Sequence, residues 1–265
     1  MRIALLTTDS AVSAEAVRRL LVANQHDIVL VADSSPFRSP SGPPTRRTLR
    51  ALWRSRLALA PYLLVNFVLP RVAAVFSGGS LAAFCRKRRI RFLRLGDVNA
   101  PATIAALQAA NVDALLLYHF DQILTAGTIT QFPAAIANVH PSLLPAQRGP
   151  VPTIHLLLEP SQPAGVTIHR VTTRIDDGAI LAQAEVSLPP GVSAIGAARH
   201  LHLAALALVP QALDLLRAGA PGTPQPTRLP YCGFPGAGIL WRLRRKGNHT
   251  VRFGDISQAI AAVNS

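Results

Sequence analysis

The chain has 265 residues, of which 49% are hydrophobic and 15% charged, so it can bury the core of one large domain. This composition excludes a chain that is disordered over most of its length. Two cysteines are too few for a disulfide scaffold, and Cys85 and Cys232 lack the spacing of a zinc site. We therefore expect a cytoplasmic protein without a bound metal.

The net charge of +14 is concentrated in two parts of the chain. Residues 34–100 contain 13 basic and 1 acidic side chains, and residues 191–265 contain 8 and 2, whereas the remainder is slightly acidic. Such a field suits a nucleic acid, an anionic membrane surface or a phosphorylated substrate. A solvated surface rich in arginine explains it too, so the charge alone leaves the partner open.

Short apolar runs alternate with helix-like segments along the chain. In chain order the pattern predicts a strand at 3–7, a helix at 10–23, a strand at 27–32, a helix at 81–89, a strand at 90–95, a helix at 100–110, strands at 113–118, 134–139, 165–171 and 179–188, and a long helix at 192–218. This alternation predicts an α/β fold with a doubly wound, mostly parallel, Rossmann-like sheet covered by helices on both faces.

Two segments interrupt the alternation, and we expect neither to be an independent domain. Residues 34–76 form a basic and apolar insertion in a domain that spans residues 1–218, whereas residues 219–265 form a C-terminal extension that we expect to be irregular except for a short final helix. The apolar stretch 57–70 contains Pro61 and Asn66 and is shorter than a helix that spans a bilayer.

The insertion has two interpretations. Its arginines surround Trp53 and precede the apolar stretch, which is typical of a peripheral anchor on an anionic membrane. In the other interpretation the apolar stretch packs on the sheet and the arginines are solvated. The arginines concerned are Arg46, Arg47, Arg50, Arg54 and Arg56.

Candidate catalytic side chains follow the predicted strand at 134–139. Asn138 and His140 are two residues apart, so their side chains point to the same side of the strand. Ligands of open α/β sheets bind beyond the carboxyl ends of the strands. An amide donor and a histidine suit a developing oxyanion and a proton transfer, and Asp176 and Asp177 supply a carboxylate in a later loop.

Two motifs resemble one enzyme family. The sequence NVHPSLLP at 138–145, followed by RGPVP at 148–152, resembles the signature of formyltransferases that use 10-formyltetrahydrofolate, and GVTIH at 165–169 with IDDG at 175–178 is similar to the second motif of that family. The resemblance covers about residues 1–33 and 90–218. It implies the catalytic domain shared by methionyl-tRNA and amino-sugar formyltransferases.

The resemblance also implies roles for individual residues. Asn138, His140 and Asp176 would be catalytic while an amine attacks the formyl carbon, no metal would be needed, and Arg148 and Gly149 would bind the acceptor. The residues implied to bind the folate are Gln122, Ile123, Leu124, Ser142, Leu143, Leu144 and Pro145.

The acceptor is less defined than the reaction. The spacing from Arg148 to Pro152 resembles the methionyl-tRNA and amino-sugar branches more than the glycinamide ribonucleotide branch, and the 47 residues after Ala218 are too few for the C-terminal barrel of the tRNA enzymes. We therefore expect a small primary amine, most simply an amino sugar, either free or linked to a nucleotide or a lipid. A tRNA acceptor is the alternative, and a catalytically degenerate membrane- or nucleic-acid-binding protein is a further one.

Overall fold

A computed structural model describes residues 1–34, 58–132, 135–159 and 161–263. One seven-stranded sheet comprises β1 (Ile3–Thr8), β2 (Ile28–Ser34), β3 (Arg91–Arg94), β4 (Ala114–Tyr118), β5 (Ala135–His140), β6 (Gly165–Arg170) and β7 (Ile180–Glu185). The strand order is β3-β2-β1-β4-β5-β6-β7. Strands β1 to β5 pair in parallel, whereas β6 is antiparallel to both of its neighbours.

The described helices cover both faces of this sheet. They are α1 (Ala14–Ala23), α2 (Ala58–Ser77), α3 (Leu81–Lys87), α4 (Pro101–Gln108), α5 (Ala126–Gln131), α6 (Pro152–Leu156), α7 (Ala194–Ala205), α8 (Val209–Arg217), α9 (Ala237–Arg245) and α10 (Phe253–Ala261). Helices α1, α3, α7 and α8 pack on one face, and α4 packs on the other. The predicted fold class is thereby confirmed.

The central strands explain why this sheet is stable. All residues of β1 and β4 are buried, because a parallel strand with helices on both faces has no solvent side. Their sequences, IALLTT and ALLLY, are accordingly apolar on both faces instead of alternating. The polar residues of the domain are thus left to the strand ends, where the site lies.

Two helix predictions differ from the structure. The predicted helix at 192–218 is divided into α7 and α8, because Pro210 lacks an N–H and begins a new helix instead of continuing the first. The extension, expected to be irregular before its final helix, also contains α9. Its two buried leucines, Leu240 and Leu243, are separated by the exposed Trp241 and Arg242, and they pack against α2 and α7.

Helix α2 caps the loop after β1. Pro70 lacks the N–H that would bond to the carbonyl of Asn66 within a regular helix, and the chain forms a π-helical turn at Leu64–Val68. The free carbonyl of Asn66 accepts from the N–H of Ala11 at 2.8 Å, and its side-chain oxygen accepts from the N–H of Val12 at 3.2 Å. The insertion is therefore joined to the domain by specific polar contacts.

The interpretation of the insertion is tested only in part. Trp53 and the five arginines before α2 lie outside the described residues, while α2 itself packs on the domain with one face. The sequence predicted an apolar stretch that ends at residue 70. In the structure neither Pro61 nor Pro70 ends the helix, which continues to Ser77. With 20 residues, α2 is the one helix in the described ranges that meets the length and composition of a membrane span.

Candidate active site

The candidate catalytic residues meet at the carboxyl edge of the parallel strands. His140 is the last residue of β5, and Asn138 lies two residues before it. Asp176 lies in the loop between β6 and β7. Because β6 pairs with β5 in antiparallel register, the end of β6 points back towards the start of β5, with His169 opposite Asn138 and Thr167 opposite His140. The loop that follows β6 then returns to the end of β5, where Oδ1 of Asp176 lies 3.8 Å from Nδ1 of His140.

His140 has one ring nitrogen anchored and one facing the carboxylate. Its Nε2 donates to the carbonyl of Gln147 at 3.2 Å, which leaves Nδ1 at 3.8 Å from Oδ1 of Asp176. Both side chains are almost excluded from solvent, with 5% and 11% exposed. The free ring nitrogen of His140 therefore faces the carboxylate of Asp176 in a place that is poorly exposed to solvent.

His169 belongs to the site, although the sequence analysis assigned it no role. Its Nδ1 donates to the carbonyl of Arg170 at 2.8 Å, so its Nε2 is the atom that accepts from Nδ2 of Asn138 at 3.1 Å. Burial lowers the pKa of His169 to about 4, which keeps the ring neutral and able to accept at pH 7. His169 thereby fixes the orientation of the Asn138 amide and leaves its second N–H for a substrate oxygen.

Backbone contacts hold Asp176 in place. Its φ of 51° lies in the left-handed region, and its Oδ2 accepts from the N–H of Gly149 at 2.9 Å. Two residues later, a Cβ on Gly178 would lie 1.8 Å from the carbonyl oxygen of Arg170. The loop approaches β6 so closely that only glycine fits there.

Arg148 is buried and positions this loop. Its guanidinium donates to the carbonyls of Ile175 and Asp176, and also to that of Leu229 at 3.3 Å. The N–H groups of this side chain are thus bonded to backbone carbonyl oxygens of the protein. Direct binding of the acceptor by Arg148 and Gly149 stays a prediction.

A segment of the C-terminal extension, residues 222–235, crosses the site, and we call it the strap. The N–H of Cys232 donates to the carbonyl of Arg148 at 2.7 Å, and Nε2 of Gln225 donates to the carbonyl of Asp176 at 3.1 Å. Partial burial and the nearby carboxylate of Asp176 raise the pKa of Tyr231, whose ring is half exposed. The strap thus both braces the catalytic loop and presents an aromatic ring beside it.

The residues implied to bind folate lie along the same edge. Gln122 bridges the end of β2 and the loop after β3 by donating to Oγ of Ser34 at 2.8 Å and accepting from the N–H of Val98 at 2.9 Å. Ile123 is 64% exposed, whereas Leu124 is buried in the core. Ile123 therefore offers an apolar surface to a ligand, and Gln122 fixes the loop that carries it.

Thr167 fixes the backbone of the SLLP segment. Its Oγ1 donates to the carbonyl of Ser142 at 2.7 Å and accepts from the N–H of Leu144 at 3.1 Å. Leu143 packs against Gly165, and the peptide bond before Pro145 is cis. A fixed segment of this kind presents backbone groups in constant positions. Among the described residues, no cluster of three or more metal-ligating side chains occurs.

Asp177 differs from Asp176 because arginines surround it. Its carboxylate lies 3.7 Å from Arg148, 3.7 Å from Arg174 and 4.0 Å from Arg228. We expect Asp177→Asn to lower the formyl transfer rate by less than about tenfold, in contrast to the loss of a group at the reacting centre. Steady-state kinetics measures this, and a rate as low as that of Asp176→Asn would exchange the roles of the two carboxylates.

We expect the free energy of unfolding to fall in acid, because the fold removes three histidines from solvent. Burial lowers the pKa of His119 and His169 to about 4 and that of His202 to about 3, whereas an unfolded histidine titrates near 6.5. The unfolded chain therefore binds more protons, and the free energy of unfolding falls as the pH drops from about 6.5 towards 4. Each histidine contributes up to about 1.4 kcal/mol per pH unit.

Asp33 opposes this trend, since burial raises its pKa to about 6 and the folded state then binds the extra proton; it is one group against three. Urea unfolding at about pH 7.5 and about pH 5 measures the difference. The exposed His26 serves as the control, because His26→Gln should leave the difference unchanged. Equal unfolding free energies at the two pH values would contradict the prediction.

Comparison with known proteins agrees with this site. Residues 84–213 match the Formyl transferase family. A sugar N-formyltransferase from a Shewanella species is 17% identical, with a TM-score of 0.59 over 100% of this chain and 89% of that chain. The formyltransferase PseJ from Anoxybacillus kamchatkensis, in complex with UDP-4,6-dideoxy-4-formamido-L-AltNAc and tetrahydrofolate, is 20% identical, with a TM-score of 0.53 over 99% of this chain and 100% of that one.

Glycinamide ribonucleotide transformylase 1 from Symbiobacterium toebii is 21% identical, with a TM-score of 0.56 over 83% of this chain and 88% of that chain. At these identities the solved structures establish the fold, and the family match over residues 84–213 includes Asn138, His140 and Asp176. Residues 84–213 therefore match the formyl transferase family, and this match together with the fold indicates an enzyme that transfers a formyl group.

Proposed function

We propose that the enzyme transfers the formyl group of 10-formyltetrahydrofolate to the primary amine of an amino sugar. The observation that carries this proposal is the contact between an oriented amide, a histidine and a carboxylate at the carboxyl edge of the sheet. Asn138, His140 and Asp176 supply a hydrogen-bond donor, a proton carrier and a negative charge, which are the groups that acyl transfer to an amine needs.

The chemistry follows from the geometry of these three groups. The amine nitrogen bonds to the formyl carbon, the bond from that carbon to the donor nitrogen breaks, the amine loses a proton and the donor nitrogen gains one. Nδ1 of His140 is too far from Asp176 for a direct hydrogen bond, at 3.8 Å, so a proton on Nδ1 is available to the formyl oxygen. The free N–H of Asn138 donates to the same oxygen, while Asp176 stabilises the charged imidazole and accepts the proton of the amine.

The residues at this edge fit a folate. When bound, 10-formyltetrahydrofolate supplies the formyl group. Ile123 and Ile175 are exposed there, and apolar surface of this kind covers a flat heteroaromatic ring. The fixed backbone of residues 142–145 supplies hydrogen-bonding groups beside it.

The C-terminal extension supports a sugar acceptor. The similarity to the two sugar N-formyltransferases covers 99–100% of this chain and so includes the strap, whereas the similarity to the glycinamide ribonucleotide transformylase covers 83%. The strap touches Arg148 and Asp176 and presents Tyr231 beside them. Aromatic faces pack well on sugar rings, because such rings carry apolar C–H groups.

A panel of acceptors tests the proposal. Purified protein is incubated with 10-formyltetrahydrofolate and, in separate reactions, nucleotide-linked amino sugars, free amino sugars, glycinamide ribonucleotide and methionyl-tRNA, and mass spectrometry follows the formylated product. We expect formylation of an amino sugar, with no product from Asp176→Asn. Preferred formylation of methionyl-tRNA or glycinamide ribonucleotide would contradict the acceptor, and the absence of product with every amine would contradict the donor or the panel's class of acceptor.

Association with the inner face of a membrane, one of the two interpretations of residues 34–76, is a proposal separate from the chemistry. It does not depend on which amine accepts the formyl group.

A further inference from the structure

We propose that α2 and α10 form a docking surface for a bilayer that contains anionic phospholipid. This surface, the α2–α10 face, consists of Val72, Val75 and Phe76 on α2 and of Phe253 and Ile260 on α10. It requires neither formyl transfer nor a particular acceptor, and it combines the insertion with the C-terminal extension.

The α2–α10 face exposes large apolar side chains that the fold does not use. Phe253 is 88% exposed, Phe76 is 87% exposed and Val75 is 80% exposed, the highest values among the large apolar residues described. Residues 72, 75 and 76 lie on one side of a helix, as do residues 253 and 260. Burial of these side chains in an apolar phase would be favourable.

The two helices form one continuous surface. Helix α10 packs along α2 from the π-helical turn at Leu64–Val68 to its C-terminal part. At the far end, a Cβ on Gly79 would lie 2.1 Å from the carbonyl oxygen of Val263. The opposite side of α2 is buried against the domain through Tyr62 and Val65, so α2 lies on the protein and would rest on a membrane surface instead of crossing it.

The chain segments that carry the α2–α10 face have almost exclusively basic charged residues. In the described ranges 58–96 and 237–263, the one acidic residue is Asp255, which is buried and caps α10. Trp241 is exposed on α9 with the guanidinium of Arg245 over its ring at 4.7 Å, an arrangement suited to the headgroup region. The exposed basic residues in these two ranges are Arg86, Lys87, Arg88, Arg89, Arg91, Arg94, Arg242, Arg244, Arg245, Lys246 and Arg252.

This combination favours a membrane over the other occupants of such a surface. A second copy of the chain would bring two positively charged surfaces together, which opposes association. A nucleic acid would satisfy the basic residues but would leave the aliphatic side chains of Val72, Val75 and Ile260 without an apolar partner. An anionic bilayer satisfies both, since it has a negative surface and an apolar interior.

Vesicle flotation tests the proposal with the full chain. The protein is mixed with vesicles of phosphatidylcholine alone or of phosphatidylcholine with phosphatidylglycerol, at low and high salt. We expect flotation with the anionic vesicles at low salt, weaker flotation at high salt because screening shortens the electrostatic range, and none with phosphatidylcholine alone.

Variants distinguish binding through the α2–α10 face from nonspecific adsorption of the protein to vesicles. The double variant V75S/F76S is expected to lower the partition onto anionic vesicles by about tenfold or more, with unchanged thermal unfolding and unchanged formyl transfer to a soluble acceptor. Val22→Ser, at a half-exposed valine on α1, is the matched control and should float like the wild type.

Three results would overturn the proposal. In the first, the wild-type protein stays unbound with anionic vesicles at low salt. In the second, V75S/F76S floats as well as the wild type. In the third, light scattering shows a dimer that V75S/F76S converts to a monomer, which would make the α2–α10 face a contact between two copies.

Discussion

Asp176→Asn and His140→Ala are each expected to lower the rate of formyl transfer by at least about 10²–10³-fold, the usual cost of removing one group that stabilises developing charge. In Asp176→Asn the side chain keeps an oxygen that can accept from the N–H of Gly149, so the loop should hold its position. The change removes the negative charge 3.8 Å from Nδ1 of His140. The loss should therefore appear in kcat and leave KM for the folate nearly unchanged.

Thermal unfolding of each variant provides the check on folding. Nε2 of His140 donates to the carbonyl of Gln147, so His140→Ala removes this hydrogen bond and a small loss of stability is expected. Asn138→Ala should resemble it in rate, because it removes the second donor to the formyl oxygen. Near-wild-type turnover by Asp176→Asn would remove this carboxylate from the mechanism, and Asp177 would become the candidate.

The position of the site follows from short-range patterns. The alternation of Asn138 and His140 at the end of an apolar strand, followed at once by Pro141, places both side chains at one sheet edge. The buried run before them predicts the strand, and the second motif identifies the loop that carries Asp176. These features depend on residues that are close together in the sequence.

The contacts that orient the site depend on distant parts of the chain. His169 accepts from Asn138 because β6 is antiparallel to β5, and a strand direction is not encoded in the alternation of its residues. The bond from Cys232 to the carbonyl of Arg148 joins residues 84 positions apart in sequence, across a segment rich in glycine and proline. No local pattern indicates such a pairing.

The insertion illustrates the same limit. Pro70 predicts the end of a helix when it is considered alone, yet α2 continues because the carbonyl of Asn66, left without its helical donor, accepts from the N–H of Ala11. The partner that makes the proline acceptable lies 55 residues earlier in the chain than Asn66. A tertiary contact has thus overridden a local preference.

Gly149→Ala is expected to damage both the stability and the activity of the enzyme. The φ of Gly149 is 132°, which side chains rarely adopt, and an added Cβ would lie 2.0 Å from the carbonyl oxygen of Cys232. Backbone strain of this kind costs on the order of 1–3 kcal/mol before the clash is counted. The strap must move away, and the bond from the N–H of Gly149 to Asp176 would be disturbed with it.

Gly238→Ala is the matched control, since Gly238 lies in the first turn of α9 just beyond the strap and has nothing within 4 Å of an added Cβ. Thermal unfolding should show a loss of several degrees for Gly149→Ala and little change for Gly238→Ala. At a temperature where both variants are folded, Gly149→Ala should still be at least about tenfold slower, because Asp176 has lost its backbone anchor. Wild-type kinetics in a folded Gly149→Ala protein would mean that the strap and this anchor do not position the catalytic carboxylate.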